Sequence, residues 1–189
     1  MKYRFKVFII IVFLLGCANP PSDPEKVLDS YIKAANEHNI EKVKDMYADS
    51  IVWYFGPLTF KGKEEAIAPL EFDKGANTKL IHTNIYVNGD TVDFHLLETN
   101  NVISALGVPE LHHFPRFVVK NGLIHLITST KPPTEFKAYA DSVAAFANWL
   151  QSNSPDMYNK IWPDGNFNFS EETGKIMPAE VLKWRDRFK

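Results

Sequence analysis

Two Asn-Gly pairs, Asn88-Gly89 and Asn121-Gly122, each sit between long runs of alternating apolar and polar residues. Both residues of such a pair tolerate positive φ, so the pair readily closes a two-stranded antiparallel hairpin. Lys79 to Val87 and Thr91 to Asn100 flank the first pair; His112 to Lys120 and Leu123 to Thr130 flank the second. Hairpins of this length imply an antiparallel sheet, and the chain ahead of them supplies its cover. Asp23-Pro24-Glu25 reads as a helix start, with a capping carboxylate, a proline suited to the first turn and an acid that complements the helix dipole. Val27, Leu28, Tyr31, Ile32 and Ala35 then recur at helical spacing. Asn39 caps a second short helix in which Ile40, Val43, Met46 and Tyr47 share a face.

Ile51 to Phe55 has the composition of a strand, Gly56-Pro57 turns it, and Leu58-Thr59-Phe60 returns. A third helix is expected from Gly62 to about Phe72. Helices first and hairpins later make an α+β domain, not a doubly wound one. Beyond Lys131-Pro132-Pro133-Thr134, Tyr139, Val143, Phe146 and Trp149 mark an amphipathic helix. Ser154-Pro155 starts another, Phe167 and Phe169 alternate briefly, and Val181, Leu182, Trp184 and Phe188 mark a last helix. This tail is too small to bury a sound core alone and is expected to pack on the main domain. Trp149, Trp162 and Trp184 are its natural anchors.

The 189 residues suit one domain with an appendage, and 45% hydrophobic with 23% charged residues is the balance of a globular protein. A formal charge of −2 leaves no basic excess, which argues against a nucleic-acid partner. The one cysteine excludes a disulfide framework and a cysteine-rich metal site. No phosphate loop, zinc motif or Ser-His-Asp order is present, so no cofactor and no metal are expected.

The first residues carry an address. Lys2, Arg4 and Lys6 precede the apolar run Val7 to Leu15, which is far shorter than the ~20 residues a membrane-spanning helix needs. Basic start, short apolar core and small residue form the pattern of an export signal. Leu14-Leu15-Gly16-Cys17 resembles the lipobox of bacterial lipoproteins. The resemblance implies cleavage before Cys17, acylation of that residue and lipid anchoring in the cell envelope. Ala18 favours the outer membrane in organisms that sort lipoproteins by the residue after the cysteine. Cleavage also removes Lys2, Arg4 and Lys6, so the lipid, not a basic patch, must supply attachment. Residues 1–16 are then the signal, 17–23 a polar tether, 24–132 the main domain and 133–189 the helical extension.

The segments VLDSYIKAANEHNIEKVKDMYADSIVWYF, LTFKGKEEAIAPL and FPRFVVKNGLIHLITST together resemble the nuclear-transport-factor-2-like superfamily, and most of all its SnoaL-like branch. The resemblance covers about residues 25–131. It implies a conical barrel in which helices pack in a curved antiparallel sheet around a deep pocket. The superfamily contains ketosteroid isomerases, cyclases, dehydratases and epoxide hydrolases, and also modules without activity.

Strand parity then nominates site residues. Across the first hairpin, Ile81, Thr83, Ile85 and Val87 should share a face with Val92, Phe94, Leu96 and Glu98. Glu98 at the end of an apolar face is either an exposed strand end paired with Lys79 or an inward general base. Alternation groups His112, Phe114, Arg116 and Val118, with His125 opposite Val118. If this set shares the face of Glu98, then Glu98, Arg116, His112 and His125 form a polar cluster of catalytic character; one bulge would reverse the grouping. The opposite face, with His82, Asn84, Tyr86, Asp93 and His95, reads as a polar sheet surface or a dimer-forming side. Tyr31, Trp53, Tyr54 and Phe94 are candidate pocket walls, or plain core. The lipobox, the pocket-forming fold and the missing active-site motif favour a membrane-anchored module that binds a small apolar ligand without catalysis. The alternatives are a SnoaL-like isomerase, cyclase or hydrolase, with Glu98 or a histidine such as His125 as base and Arg116 or Tyr31 stabilising an oxyanion, and a homodimeric interaction module. Cys17→Ser is expected to abolish metabolic labelling of the chain by a fatty acid; persistent labelling would refute acylation at that position.

Overall fold

Helix α1 (Pro24–Asn36) begins as its capping signal requires: the Asp23 side chain accepts from the Glu25 N–H. The computed structural model describes residues 23–131 and 136–188; the leader, Cys17, the tether after it and the proline-containing junction lie outside the described residues. Helix α2 (Ile40–Met46) is capped by Asn39, whose side chain accepts from the Lys42 N–H. It passes directly into β1 (Tyr47–Phe55), which starts well before Ile51. Strand β2 (Leu58–Lys61) returns along it. The helix expected from Gly62 breaks into α3 (Gly62–Ala66) and α4 (Ala68–Ala76), because Pro69 lacks an N–H for the preceding turn and opens a new one.

Strands β3 (Lys79–Asn88) and β4 (Thr91–Thr99) form the first hairpin. A short helix α5 (Asn101–Ala105), for which periodicity gives no sign, follows. The run from His112 is split: β5 (Leu111–His113) and β6 (Pro115–Lys120) both pair with β4. Strand β7 (Leu123–Ser129) closes the second hairpin, with Asn121 at φ 52° and Gly122 at φ 79° in the turn. The sheet order is β2-β1-β7-β6-β4-β3, antiparallel except for the parallel pairing of β1 with β7. Register shifts interrupt β1/β7, β3/β4 and β6/β7. Such bulges bend a sheet, and this one curls around α1. Leu28, Tyr31 and Ile32 of α1 share one buried cluster with Val92, Phe94, Phe117 and Ile127 of the sheet.

One bulge overturns the parity expected for β3. Asn84 adopts φ 53° inside the register shift between Thr83 and Tyr86. Beyond it Val87 opposes Val92, as alternation requires, but before it Leu80 opposes Glu98 and His82 opposes Leu96. Ile81 and Thr83 therefore lie on the other face, and Ile81 is 60% exposed.

The tail holds α6 (Phe136–Asn153), α7 (Pro155–Ile161), a 3-10 turn (Pro163–Gly165) and α8 (Glu171–Asp186). Phe146, Leu150, Ile161, Trp162, Met177 and Val181 bury one cluster together with Phe72, Ala76, Val102 and Ala105 from the main domain. Trp149, Trp162 and Trp184 all pack on Phe146, at ring-centroid distances of 6.3, 6.0 and 5.9 Å. The tail thus completes its core with residues of α4 and α5.

Helices α4 and α8 cross backbone to backbone. A Cβ on Gly174 would lie 2.3 Å from the Phe72 carbonyl oxygen, and one on Gly75 would lie 2.0 Å from that of Glu171. Neither contact leaves room for a methyl group. Gly→Ala inside a helix ordinarily stabilises by up to about 1 kcal/mol. Gly174→Ala is expected to destabilise the chain instead, by about 1–3 kcal/mol of overpacking, read from urea denaturation. A gain in stability would show that the two helices separate freely.

Candidate functional site

The curl of the sheet leaves a cavity of about 610 Å³ between its inner face, α1, α4 and the tail. That volume lies within the range of small-molecule sites. Tyr31, Trp53, Phe72, Phe94, Leu96, Leu111, Phe117 and Ile127 line it from the main domain. Helix α6 lies across it, presenting Phe136, Tyr139, Ala140, Val143, Ala144 and Ala147. These recur every three or four residues and so form one face of the helix. The three alanines leave space where larger side chains would fill it. Trp162, Phe167 and Phe169 complete the wall from beyond α7.

The few polar groups in this wall include Tyr31, Asp73, Glu98, Asn100, His113 and Tyr139. Asn100 caps α5 by accepting from the Ile103 N–H at 2.8 Å, and its Nδ2 donates to Glu98 Oε1 at 3.0 Å. The cap therefore also orients the carboxylate at the end of β4. His113 Nε2 approaches Glu98 Oε2 to 2.9 Å, although Nε2 has no well-aligned hydrogen-bond partner among the described residues. The contact is a close charge approach, not a directed bond. Asp73 accepts from Thr78 Oγ1 at 2.8 Å. Burial, and then the charge of Glu98, push the Asp73 carboxyl well above the usual carboxylate range, against the Thr78 bond. Burial also raises the phenols of Tyr31 and Tyr139, and for Tyr139 the charges of Glu98 and Asp73 add to it. The Tyr47 hydroxyl donates to that of Tyr31 at 3.5 Å. Two carboxyl groups, an imidazole, an amide and two phenols therefore face a largely apolar space.

The structure separates the proposed cluster of Glu98 with Arg116, His112 and His125. The faces of β5 and β6 are the reverse of those assumed: Leu96 opposes His113 and Val92 opposes Phe117. Leu111, His113, Pro115 and Phe117 look inward, while His112 and Arg116 lie on the outer face. There Arg116 forks Asp93 with two 2.7 Å hydrogen bonds, and His112 Nδ1 lies 2.9 Å from His95 Nε2. His125 falls at a register shift in β7, where Val118 opposes Leu126 and Val119 opposes Ile124; it does not line the cavity. Lys79 donates to the Asn36 carbonyl oxygen and is not the partner of Glu98. Of the other nominated residues, Tyr31, Trp53, Phe94 and Glu98 line the cavity, as does Tyr54 at its 51% exposed rim.

Sequence reasoning missed Asp73, His113 and Tyr139 as site residues. Asp73 had a readable signal: it stands at the i+3 and i+4 positions from Leu70 and Pro69 and precedes Ala76, on the apolar stripe of α4. An acid on such a stripe faces the interior. His113 had none, since Phe114 and Val118 make the outer face look as apolar as the inner one.

No protein-family model matches the chain, and no curated protein matches it. Solved structures do. A nuclear-transport-factor-2-like protein of unknown function from Cytophaga hutchinsonii superposes with a TM-score of 0.52 at 12% identity, over 64% of this chain and 98% of that one. A de novo designed protein with a curved β-sheet matches with a TM-score of 0.50 at 16% identity, over 65% of this chain and 95% of that one. The fold is accordingly the nuclear-transport-factor-2-like cone. About a third of this chain lies outside each of these matches.

A raised carboxyl pKa has a definite sign in stability. The folded chain holds the Asp73 proton that the unfolded chain loses near pH 4, so this group favours folding less as pH rises above about 4. Asp73→Asn, which keeps the Thr78 contact and has no proton to lose, is expected to flatten that fall and to raise stability at neutral pH. Urea midpoints of both proteins across the pH range check it; parallel curves would show that Asp73 ionises freely.

Proposed function

We propose that this chain is a membrane-anchored lipoprotein of SnoaL-like type whose cone and tail together bind a small, largely apolar molecule. The observation that carries the reading is the cavity itself. An apolar space of about 610 Å³ is stable only if something occupies it or if its wall is held rigidly apart. The bulged sheet and the docked tail hold it apart here. The alanine face of α6 keeps the space open at the one side where larger residues would be easiest to accommodate. Acylation of Cys17 places the cavity beside a bilayer, where molecules of this polarity are abundant.

A second reading has a specific feature in its favour. Glu98, oriented by Asn100, faces the same space as Asp73 and the phenol hydroxyls of Tyr31 and Tyr139. That is a base opposite hydrogen-bond donors, the minimum for proton transfer beside a carbonyl. The binding reading is preferred because Arg116 and His125, which were to complete the catalytic set with Glu98, stand elsewhere.

Native mass spectrometry of the full chain released from its own membranes is expected to show a bound small molecule. Ala144→Trp fills the cavity from α6 and is expected to yield the protein without that added mass, while its circular dichroism stays that of the parent. An adduct carried equally by the variant would place the ligand elsewhere.

A further inference from the structure

The cavity wall has an uneven charge. Among the described residues it contains two carboxyl groups, Asp73 and Glu98, one imidazole, His113, and no lysine or arginine. The cations nearest to these acids in sequence are engaged elsewhere. Lys74, beside Asp73, pairs with Glu171 at 2.6 Å, and Lys79 donates to the Asn36 carbonyl oxygen at 2.9 Å. Among the described residues Glu98 has Asn100 and the oblique His113, and Asp73 has Thr78. Neither Asn100 nor Thr78 carries a charge. A fatty-acid carboxylate placed here would be a third acid beside two others, with no guanidinium or ammonium to meet it. An uncharged hydroxyl would gain only a hydrogen bond. A protonated amine would meet carboxylate acceptors and the faces of aromatic rings at once.

We propose that the cavity selects an amphipathic amine, its apolar body against Phe94, Phe117 and the alanine face of α6, and its ammonium against Asp73, Glu98 and the Tyr139 hydroxyl. The inference rests on the binding reading above and adds the charge class of the ligand to it. Tyr139 gives the tail a part in recognition: its hydroxyl completes the polar end from the roof, and both acids act on it.

The test compares n-decylamine, n-decanol and n-decanoate on the full chain in phosphatidylcholine nanodiscs, with empty nanodiscs as the blank. Trp53 and Trp162 in the cavity wall report binding by fluorescence. Decylamine is expected to bind about tenfold or more tightly than either other probe, a difference of about 1.4 kcal/mol. Asp73→Asn and the double variant with Glu98→Gln are expected to bring the decylamine-to-decanol ratio close to one. Decanol or decanoate binding as tightly as decylamine overturns the charge class and leaves the binding reading intact. Failure of all three probes overturns the binding reading, and this inference with it. A decylamine preference that survives in the double variant also overturns the assignment to these two acids.

Discussion

The contact between Gly75 and Gly174 is the constraint on which the rest of the molecule depends. It lets α4 and α8 touch backbone to backbone, which no residue with a Cβ allows at these distances. The close approach joins the two buried clusters. Phe72 and Ala76 of α4 reach into the tail's core, while Leu70 of the same helix belongs to the cone's. Docked this way, the tail carries α6 across the cone. Without that docking the cavity would be an open bowl, its inner face wet and its acids solvated.

That enclosure decides the chemistry. A carboxyl group in water is an ordinary acid; burial between apolar walls, and then the charge of Glu98, push the Asp73 carboxyl well above the usual carboxylate range. The same burial raises the phenols of Tyr31 and Tyr139 further above their ordinary range. Glu98 keeps a directed partner because Asn100 caps the next helix and reaches back to it. A helix cap, a strand end and a packed tail thus place two acids in one cavity wall.

Much of the architecture was legible because it rests on local signals. Asn121-Gly122 closes its hairpin with both residues at positive φ, Asp23 and Asn39 cap the helices they precede, and the spacing of Tyr139, Val143 and Phe146 marks α6. The faces of the strands were legible only between bulges. Asn84 takes a left-handed conformation inside β3 and exchanges the faces on either side of it, and nothing in an alternating run announces such a residue. The choice between His112 and His113 failed for a related reason: both faces of β5 and β6 carry apolar residues, so alternation had two equal solutions. Asp73 was within reach, since an acid on the apolar stripe of a helix is visible from spacing alone.

The amino-acid sequence by itself determined the α+β class, the hairpins, the helix starts and the residues able to form an apolar lining, because turns, caps and periodicity act within a few residues. It also holds the whole of what is known of the leader and Cys17. Tertiary structure alone decided which face of each strand turns inward, that the tail packs on the cone, and that Asp73, Glu98, His113 and Tyr139 line one cavity. Those outcomes depend on bulges and on a glycine crossing between segments about a hundred residues apart in the chain. Contacts of that range arise only when the whole chain has found its packing.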